Sequence, residues 1–343
     1  MAQLTFREAV AAALAQEMAR DDAVVLLGED VGSGGVFTTT AGLKERFGAD
    51  RVWDTPISEQ AIAGAAMGAA AAGLRPVAEI MFSDFYATCW DQVANEIAKA
   101  CYMTGGQLRM PLVIRGTNGG GLGFGAQHSQ SIENWAMCIP GIKIVSPATA
   151  DDMWGLLAAS IRDDEPVLVF EHKALFGTKA DRPGDPQPTG GPSTSVDHLV
   201  PLGQAARRRA GDDVTLVGLA RTVGMCEQAA DTLAGDGVSV DVLDLRCLVP
   251  LDVAAVRASA RRTGRVVIVE ENPGQLGWGA GVAAILAEEA FEDLRAPIVR
   301  VSGGNVPLPV AAAMEAEVMP SAEKVVAAAR RLCEGRTPVA TTT

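Results

Sequence analysis

The residue with the clearest chemical potential in this chain is Glu59, which ends the segment Asp54-Thr-Pro-Ile-Ser-Glu59. This segment is predicted to connect a short strand to a helix of small residues that runs from Ala61 to Gly73. A buried carboxylate without a partner is strongly disfavoured, and the segment contains no lysine or arginine. Glu59 is therefore expected either to reach water or to be satisfied by a bound ligand.

A second candidate is His128, which follows a glycine-rich loop that runs from Gly116 to Gly125. Glycine permits positive φ angles and a close approach of the backbone to a ligand. The loop lacks the Lys-Ser/Thr pair of a phosphate-binding P-loop. Its functional interest is therefore the histidine that follows it. The chain has 3 histidines, and most single histidines are structural. The Gln and Ser that flank His128 favour a role in proton transfer instead.

Three aromatic residues, Phe82, Phe85 and Tyr86, follow a predicted strand that ends at Ile80. Aromatic residues make up only 5% of the chain, so this cluster is unusual. Core packing is the default explanation. The alternative is a wall on which a flat heteroaromatic ring stacks.

Strands and helices alternate along the chain, which predicts an α/β fold with two doubly wound parallel sheets. A segment rich in Pro, Gly, Ser and Thr separates the two halves and is predicted to be a linker. The predicted organisation is a domain at 1–177, a linker at 178–198, a smaller domain at 199–335 and a tail at 336–343. Ligands of such folds bind at the carboxyl ends of strands, and Glu59, Phe85 and the 116–128 loop all follow predicted strands. One of the predicted helices runs from Asp84 to Tyr102.

Composition excludes several classes of function. The net charge of −13 argues against nucleic acid or an anionic membrane as a partner. No apolar run approaches the roughly 20 residues that span a bilayer, and the first residues lack a secretory or transit pattern, so a cytoplasmic location is expected. The 6 cysteines form no C-x-x-C pair and no zinc-like spacing with histidine, so reduced thiols are expected.

Short segments spread in order over nearly the whole chain carry a family resemblance: Leu27-Gly-Glu-Asp30, Asp54-Thr-Pro-Ile-Ser-Glu59, Gln127-His128-Ser-Gln130, Val145-Ser-Pro147, Ile161-Arg-Asp163, Asp244-Leu-Arg246, Val269-Glu-Glu271 and Val306-Pro307. Each is weak alone, but together they closely resemble the beta subunit of the decarboxylating component of 2-oxo acid dehydrogenases. That family includes the pyruvate, branched-chain and acetoin dehydrogenase complexes.

The resemblance implies an N-terminal thiamine pyrimidine-binding domain and a transketolase C-terminal-like domain. It also implies an α₂β₂ assembly that binds thiamine diphosphate between its subunits and transfers acyl groups to the lipoyl arms of an acyltransferase core. In this family the alpha subunit holds the diphosphate and Mg²⁺. Gly235-Asp236-Gly237 resembles the start of the diphosphate motif, but a strand follows at once, so we predict a simple turn there.

Residue roles follow from the same resemblance. Glu59 matches the glutamate that activates the cofactor, and Phe85 matches the aromatic residue that packs on the pyrimidine. Glu29 matches an acidic residue of the cofactor neighbourhood. His128 matches a histidine that acts in acyl transfer to lipoamide. Some relatives also bind K⁺ through backbone oxygens, and the matching positions here are Leu112, Ser160, Asp163 and Glu165.

The leading hypothesis is a subunit of a pyruvate or acetoin dehydrogenase. The segment Phe170-Glu-His172-Lys173 looks somewhat more like acetoin-type or bacterial members of the family than like animal pyruvate enzymes. Two alternatives stay open. One is the C-terminal half of a split transketolase, and the other is a non-catalytic interaction subunit. Retention of Glu59, Phe85 and His128 together speaks against the second.

Overall fold

The computed structural model describes residues 3–181 and 197–334, which form two compact units. The first unit comprises Met1–Asn118 and Trp135–Leu202, and the second comprises Gly119–Asn134 and Gly203–Thr343. Most of the predicted linker, residues 182–196, and the whole predicted tail lie outside the described residues. The segment 119–134 falls inside the first predicted domain, yet it packs with the second unit.

The first unit contains strands and helices in alternation. Its strands are β1 Gln3–Thr5, β2 Val24–Gly28, β3 Val52–Asp54, β4 Arg75–Phe82, β5 Val113–Asn118, β6 Lys143–Val145, β7 Val167–His172 and β8 Lys179–Asp181. Its helices are α1 Phe6–Arg20, α2 Leu43–Phe47, α3 Glu59–Ala71, α4 Ala98–Met103 and α6 Ala150–Arg162, while α5, Glu133–Ala136, lies where the segment 119–134 ends.

Six strands of the first unit form a parallel sheet in the order β6-β7-β5-β4-β2-β3. Its inner strands are buried along nearly their whole length, as expected of a parallel sheet that is covered on both faces. The short strands β1 and β8 pair separately and antiparallel. The predicted doubly wound architecture is therefore confirmed for this unit.

Helix α1 begins with a capping box formed by Thr5 and Glu8. The Thr5 hydroxyl accepts a 3.3 Å hydrogen bond from the Glu8 amide, and the Glu8 carboxylate accepts a 2.8 Å bond from the Thr5 amide. The hydroxyl of Thr149 caps α6 in the same way, at 3.1 Å from the Asp152 amide. Local sequence thus fixes where both helices start.

An ion-pair network joins α1 to α6 through Glu17, whose side chain is fully buried. Arg162 donates two hydrogen bonds to the Glu17 carboxylate, at 2.9 and 2.8 Å, and Arg20 donates one at 2.7 Å. Burial opposes ionisation of Glu17, but hydrogen bonds from Arg162, Gln16 and Arg20 outweigh it and lower the pKa of the carboxyl. The motif Ile161-Arg-Asp163 therefore has a structural role in this unit.

We expect Glu17→Gln to lower the free energy of unfolding by about 2 kcal/mol, because hydrogen bonds to charged groups are each worth about 1.5–3 kcal/mol. A carboxyl with a lowered pKa stabilises the fold above its unfolded pKa of about 4.3 and loses this effect as the pH falls through the folded value. The difference between wild type and variant should therefore shrink below about pH 4. Urea unfolding at several pH values measures it. The exposed Glu96 provides a control, Glu96→Gln, and an equal loss in both variants would contradict the prediction.

The helix predicted from Asp84 to Tyr102 is interrupted, and in that respect the prediction is wrong. A 3₁₀ segment spans Ser83–Thr88, the chain bends at Cys89 with φ −119° and ψ 21°, and a π-helical segment spans Gln92–Ile97 before α4. Tyr86 causes part of this irregularity: its buried ring packs on Phe170, with ring centroids 5.6 Å apart, and its hydroxyl donates to the Ile114 carbonyl at 3.2 Å. Fixing that ring on the sheet favours a tight turn over a continuous helix.

The second unit contains a smaller sheet. The strands of this unit are β9 Ala206–Arg209, β10 Val214–Gly218, β11 Val240–Asp244, β12 Cys247–Val249, β13 Val266–Pro273 and β14 Val299–Gly303. Its helices are α7 Arg221–Gly235, α8 Val253–Thr263, α9 Trp278–Glu289, α10 Ala312–Val318 and α11 Ala322–Cys333. Five strands follow the order β14-β13-β10-β11-β9 and are parallel except for β9.

Gly235-Asp236-Gly237 forms the predicted turn between α7 and the next strand. Gly237 has a φ of +78°, which glycine adopts without strain. Asp236 forms a salt bridge with Arg330 at 2.7 Å. Its carboxylate is thus engaged within the unit.

Strand β9 lies at the edge of the second sheet and carries three consecutive arginines. Arg207 pairs with Asp241 and Arg208 with Asp244, both of which are buried carboxylates. Arg209 pairs with the exposed Asp231. Charge neutralisation therefore holds this strand against β11. Among the described residues of both units, we find no helix with the length and hydropathy needed to cross a bilayer.

Candidate cofactor site

Glu29, Glu59 and Phe85 follow three adjacent strands of the first sheet. Glu29 comes directly after β2, Glu59 starts the helix after β3, and Phe85 lies three residues beyond β4. Because these strands are parallel neighbours, their carboxyl ends meet at one edge. The structure therefore brings together three of the predicted cofactor residues.

Glu59 is the first residue of α3 and its side chain is half-buried. The position suits a carboxylate, because the amino end of a helix carries partial positive charge. No arginine or lysine in the described part of the chain forms a salt bridge with Glu59. The upstream Asp54 is instead tied down by the Lys44 ammonium and the Gly32 amide, both at 2.6 Å. The segment before Glu59 is therefore anchored while the Glu59 carboxylate is left to other partners.

Negative charge accumulates around Glu59. Burial, together with the charges of Glu59, Asp30 and Glu79, raises the pKa of the Glu29 carboxyl. Burial, with a contribution from Glu59, also raises the pKa of the Cys89 thiol to about 12. Cys89 is therefore a neutral thiol at physiological pH.

The aromatic cluster begins at the end of β4, and its rings contact one another edge to face. The Phe85 ring meets Phe82 at 5.9 Å between centroids with an interplanar angle of 76°, and Phe82 meets Phe37 at 5.5 Å. Phe82 is buried, whereas Phe85 is half-buried. Core packing explains Phe82, and Phe85 keeps part of its surface available to a ligand.

Two further polar atoms of this unit are buried without a hydrogen-bond partner among the described residues. Thr55 Oγ1 and Gln92 Oε1 are buried, and within residues 3–181 and 197–334 they have no hydrogen-bond partner. Buried polar groups are nearly always satisfied. The Glu29 and Glu59 carboxylates, with the partly exposed ring of Phe85, fit a flat nitrogen heterocycle that carries an amino group.

A buried charge triad, which the sequence did not indicate, supports the sheet beneath Glu29. Arg115 on β5 donates bidentately to Glu171 on β7, at 2.6 and 2.8 Å, and to Glu79 on β4. All three side chains are at most 6% exposed. Burial raises the pKa of Glu79 against the attraction of Arg115. The triad links three neighbouring strands and adds a carboxylate next to the site.

The four positions matched to a K⁺ site lie around the end of α6. The Leu112 and Ser160 carbonyls accept hydrogen bonds from the Val167 and Asp163 amides, at 3.0 and 3.2 Å, and the Asp163 carbonyl accepts one from Arg75 at 2.7 Å. Carbonyl oxygens have a second lone pair, so these atoms retain capacity for a cation. The Lys143 ammonium binds the Asp163 and Glu165 carboxylates at 2.7 and 3.0 Å.

His128 belongs to the second unit, whereas Glu59 belongs to the first. It is half-buried, and its amide donates a 3.3 Å hydrogen bond to the Gly125 carbonyl. The Gly119 amide donates to the Gln130 carbonyl at 3.1 Å, which closes the base of the loop. The structure thus places this histidine on a closed loop held by the second unit.

Comparisons with known proteins agree with this architecture. The model of the transketolase pyrimidine-binding domain matches residues 2–179, and that of the transketolase C-terminal domain matches residues 203–325. A solved structure titled "Split gene transketolase, inactive beta4 tetramer" has a TM-score of 0.75 and 26% identity, covering 96% of this chain and 98% of that one. The chain is thus a two-domain protein of the transketolase class.

Curated relatives narrow the class. Identity is 41% to the mitochondrial pyruvate dehydrogenase E1 component subunit beta-2 of Oryza sativa subsp. japonica, over 99% of this chain and 89% of that protein. It is 42% to the pyruvate dehydrogenase E1 component subunit beta of Rickettsia bellii, over 96% and 99%. It is also 42% to the 2-oxoisovalerate dehydrogenase subunit beta of Bacillus subtilis, over 97% and 100%. The chain belongs to the family of E1 beta subunits of 2-oxo acid dehydrogenases.

Proposed function

We propose that this chain is the beta half of a thiamine diphosphate-dependent enzyme that cleaves the bond next to the carbonyl of a short 2-oxo acid and passes the acyl group to a lipoyl arm. The observation that carries the proposal is the group formed by Glu29, Glu59 and Phe85 at the carboxyl ends of adjacent strands. The identity of 41–42% to E1 beta relatives, against 26% to the split transketolase, favours the dehydrogenase over a transketolase half.

Glu59 would accept a hydrogen bond from a ring nitrogen of the cofactor's aminopyrimidine. Such a bond favours the protonated ring nitrogen, because the carboxylate is charged and partly shielded from water. Phe85 would pack on the ring face, and Glu29, with its raised pKa, would border the ring as an additional acceptor or donor. When bound, the cofactor supplies the electron sink that carbon–carbon cleavage requires.

The partners follow from the family. An alpha subunit would complete an α₂β₂ assembly and hold the diphosphate with Mg²⁺, since Gly235-Asp236-Gly237 is a turn in this chain. A lipoyl acyltransferase core would receive the acyl group, and His128 would handle a proton in that step. A K⁺ ion at the carbonyls of Leu112, Ser160, Asp163 and Glu165 would support the end of α6. We place the complex in the cytoplasm.

Pyruvate is the proposed substrate, with acetoin as the second candidate. Relatives of nearly equal identity are named for pyruvate and for 2-oxoisovalerate, so identity alone does not select among short 2-oxo acids. Comparing turnover of pyruvate, branched 2-oxo acids and acetoin by one reconstituted complex separates them.

The first experiment is reconstitution. We expect the chain purified alone to show no decarboxylation of any 2-oxo acid, and the chain mixed with an alpha subunit, thiamine diphosphate and Mg²⁺ to decarboxylate and to acylate lipoamide. Release of CO₂ and loss of lipoamide thiols measure the two steps. Decarboxylation by the isolated chain would contradict a site shared with a partner. Sugar-phosphate transfer would favour the split transketolase, and a complex without bound thiamine diphosphate would favour a non-catalytic subunit.

A further inference from the structure

Glu315 on α10 is a buried carboxylate that binds the backbone of the glycine-rich loop. Glu315 as a whole residue is 3% exposed. One carboxylate oxygen accepts the Gly121 amide at 2.8 Å, and the other accepts the Gly123 amide at 3.0 Å. Both glycines have positive φ, +89° and +70°. A carboxylate so deeply buried requires charge-assisted hydrogen bonds, and here the loop backbone provides them.

The ends of the same loop are fixed by Glu271 on β13. Its Oε2 accepts the Gly120 amide at 3.2 Å and the Ser131 hydroxyl at 3.1 Å. Arg221 donates to the Gly120 carbonyl at 3.2 Å and to Glu271 at 3.4 Å. Glu271 thus holds the base of the loop, and Glu315 holds its tip.

Side chains and backbone pack closely around the loop glycines. A Cβ atom added at Gly121 would lie 2.0 Å from Arg221 Nη1, and one at Gly123 would lie 3.1 Å from the Val310 carbonyl oxygen. A Cβ at Gly120 would lie 3.0 Å from Leu308 Cδ1. At Gly121 and Gly123 the positive φ favours glycine whatever the space around each residue.

His128 follows this clamped segment directly, and its amide is bonded to the Gly125 carbonyl at 3.3 Å. Any change in the path of 121–125 therefore moves the start of the turn that carries the imidazole. All of these contacts lie within the second unit.

We propose that Glu315 is a positioning residue for His128: by clamping the amides of Gly121 and Gly123, it fixes the loop that presents the imidazole for acyl transfer. The proposal rests on the proposed function for the acyl-transfer step only. Glu315 acts through the loop and not on the substrate. Its loss should therefore slow acyl transfer, which needs His128, and spare decarboxylation, which needs Glu59.

Glu315→Gln tests this in the assembled α₂β₂ complex, with Glu317→Gln as the matched control, because Glu317 is exposed on the same helix. An amide side chain retains one acceptor and places a donor against the second loop N–H, so one arm of the clamp is lost. Three quantities are measured: deuterium exchange of the 119–125 amides, deuterium exchange at the His128 imidazole carbon, and the rates of decarboxylation (with an artificial electron acceptor) and of lipoyl acylation.

We expect Glu315→Gln to speed exchange at the loop amides and at the imidazole carbon, and to slow lipoyl acylation by about 10- to 100-fold, as a misplacement near 1 Å can. Decarboxylation should stay near the wild-type rate. Adding His128→Gln should cause no further loss of acylation, because both changes remove one function. Glu317→Gln should match wild type throughout.

Unchanged exchange at the loop amides or at the His128 imidazole would overturn the clamp. Faster loop exchange with normal acylation would overturn the positioning role. If the wild-type complex acylates no lipoyl group, the proposed function fails, while the imidazole exchange of Glu315→Gln still decides whether Glu315 positions His128.

Discussion

Glu59→Gln should lower turnover of the assembled complex by about 10²- to 10⁴-fold, the range that a positioned proton-transfer group contributes. Glutamine keeps the size of the side chain and its place at the start of α3 but removes the negative charge. The ring nitrogen of the cofactor then loses the partner that favours its protonated form. Binding of the alpha subunit should be unchanged, because the variant is isosteric and the residue makes no salt bridge within the described chain.

Steady-state decarboxylation and analytical ultracentrifugation measure the two outcomes. The control is Glu45→Gln, since Glu45 is an exposed glutamate of α2 in the same unit. A Glu59→Gln complex that turns over at the wild-type rate would refute the assignment of this carboxylate to the cofactor.

Arg115→Met should lower the free energy of unfolding by about 3–5 kcal/mol, because it leaves buried carboxylates without their cation. Glu79 and Glu171 would remain between β4, β5 and β7 with no guanidinium to neutralise them. Thermal and urea unfolding measure the loss. The comparison is Arg109→Met, which breaks a surface pair with Asp164 whose arginine side chain is 71% exposed. Such pairs contribute about 0–1 kcal/mol.

If Arg115→Met does not fold, a second variant tests whether removing the unpaired charges restores folding. Arg115→Met combined with Glu79→Gln and Glu171→Gln removes all three charges, and neutral replacements of buried ion clusters are often tolerated. We expect the triple variant to be more stable than Arg115→Met alone. Equal stability of the two would show that packing of the arginine, rather than its charge, supports the sheet.

Much of the fold was predictable because its signals are local. Continuous apolar runs at β2 and at the start of β13 indicate strands buried on both faces, and the caps at Thr5 and Thr149 set the starts of two helices. Strand β9 and helix α10 lack such local signals, and the sequence did not predict them. β9 is short and rich in arginine, and α10 is short and rich in alanine, so neither has a clear hydrophobic period.

Prediction of the site was limited by contacts between residues far apart in the chain. Glu59, Glu29 and Phe85 could be proposed from motifs that follow strands. The partners of Arg115 lie 36 and 56 residues away, and Glu315 lies 194 residues from Gly121. No local pattern reports such pairings. The assignment of 119–134 to the second unit depends on the same distant contacts, so a linker-based division of the chain could not anticipate it.

The arginines of β9 have a consequence for self-association. A sheet edge normally offers unpaired backbone groups on which another strand can align, and natural proteins block this with charge. Here three consecutive residues of β9 carry guanidinium groups that are already paired with aspartates, so an approaching strand would have to displace these cations. Addition of a strand at this edge of the sheet is thereby discouraged.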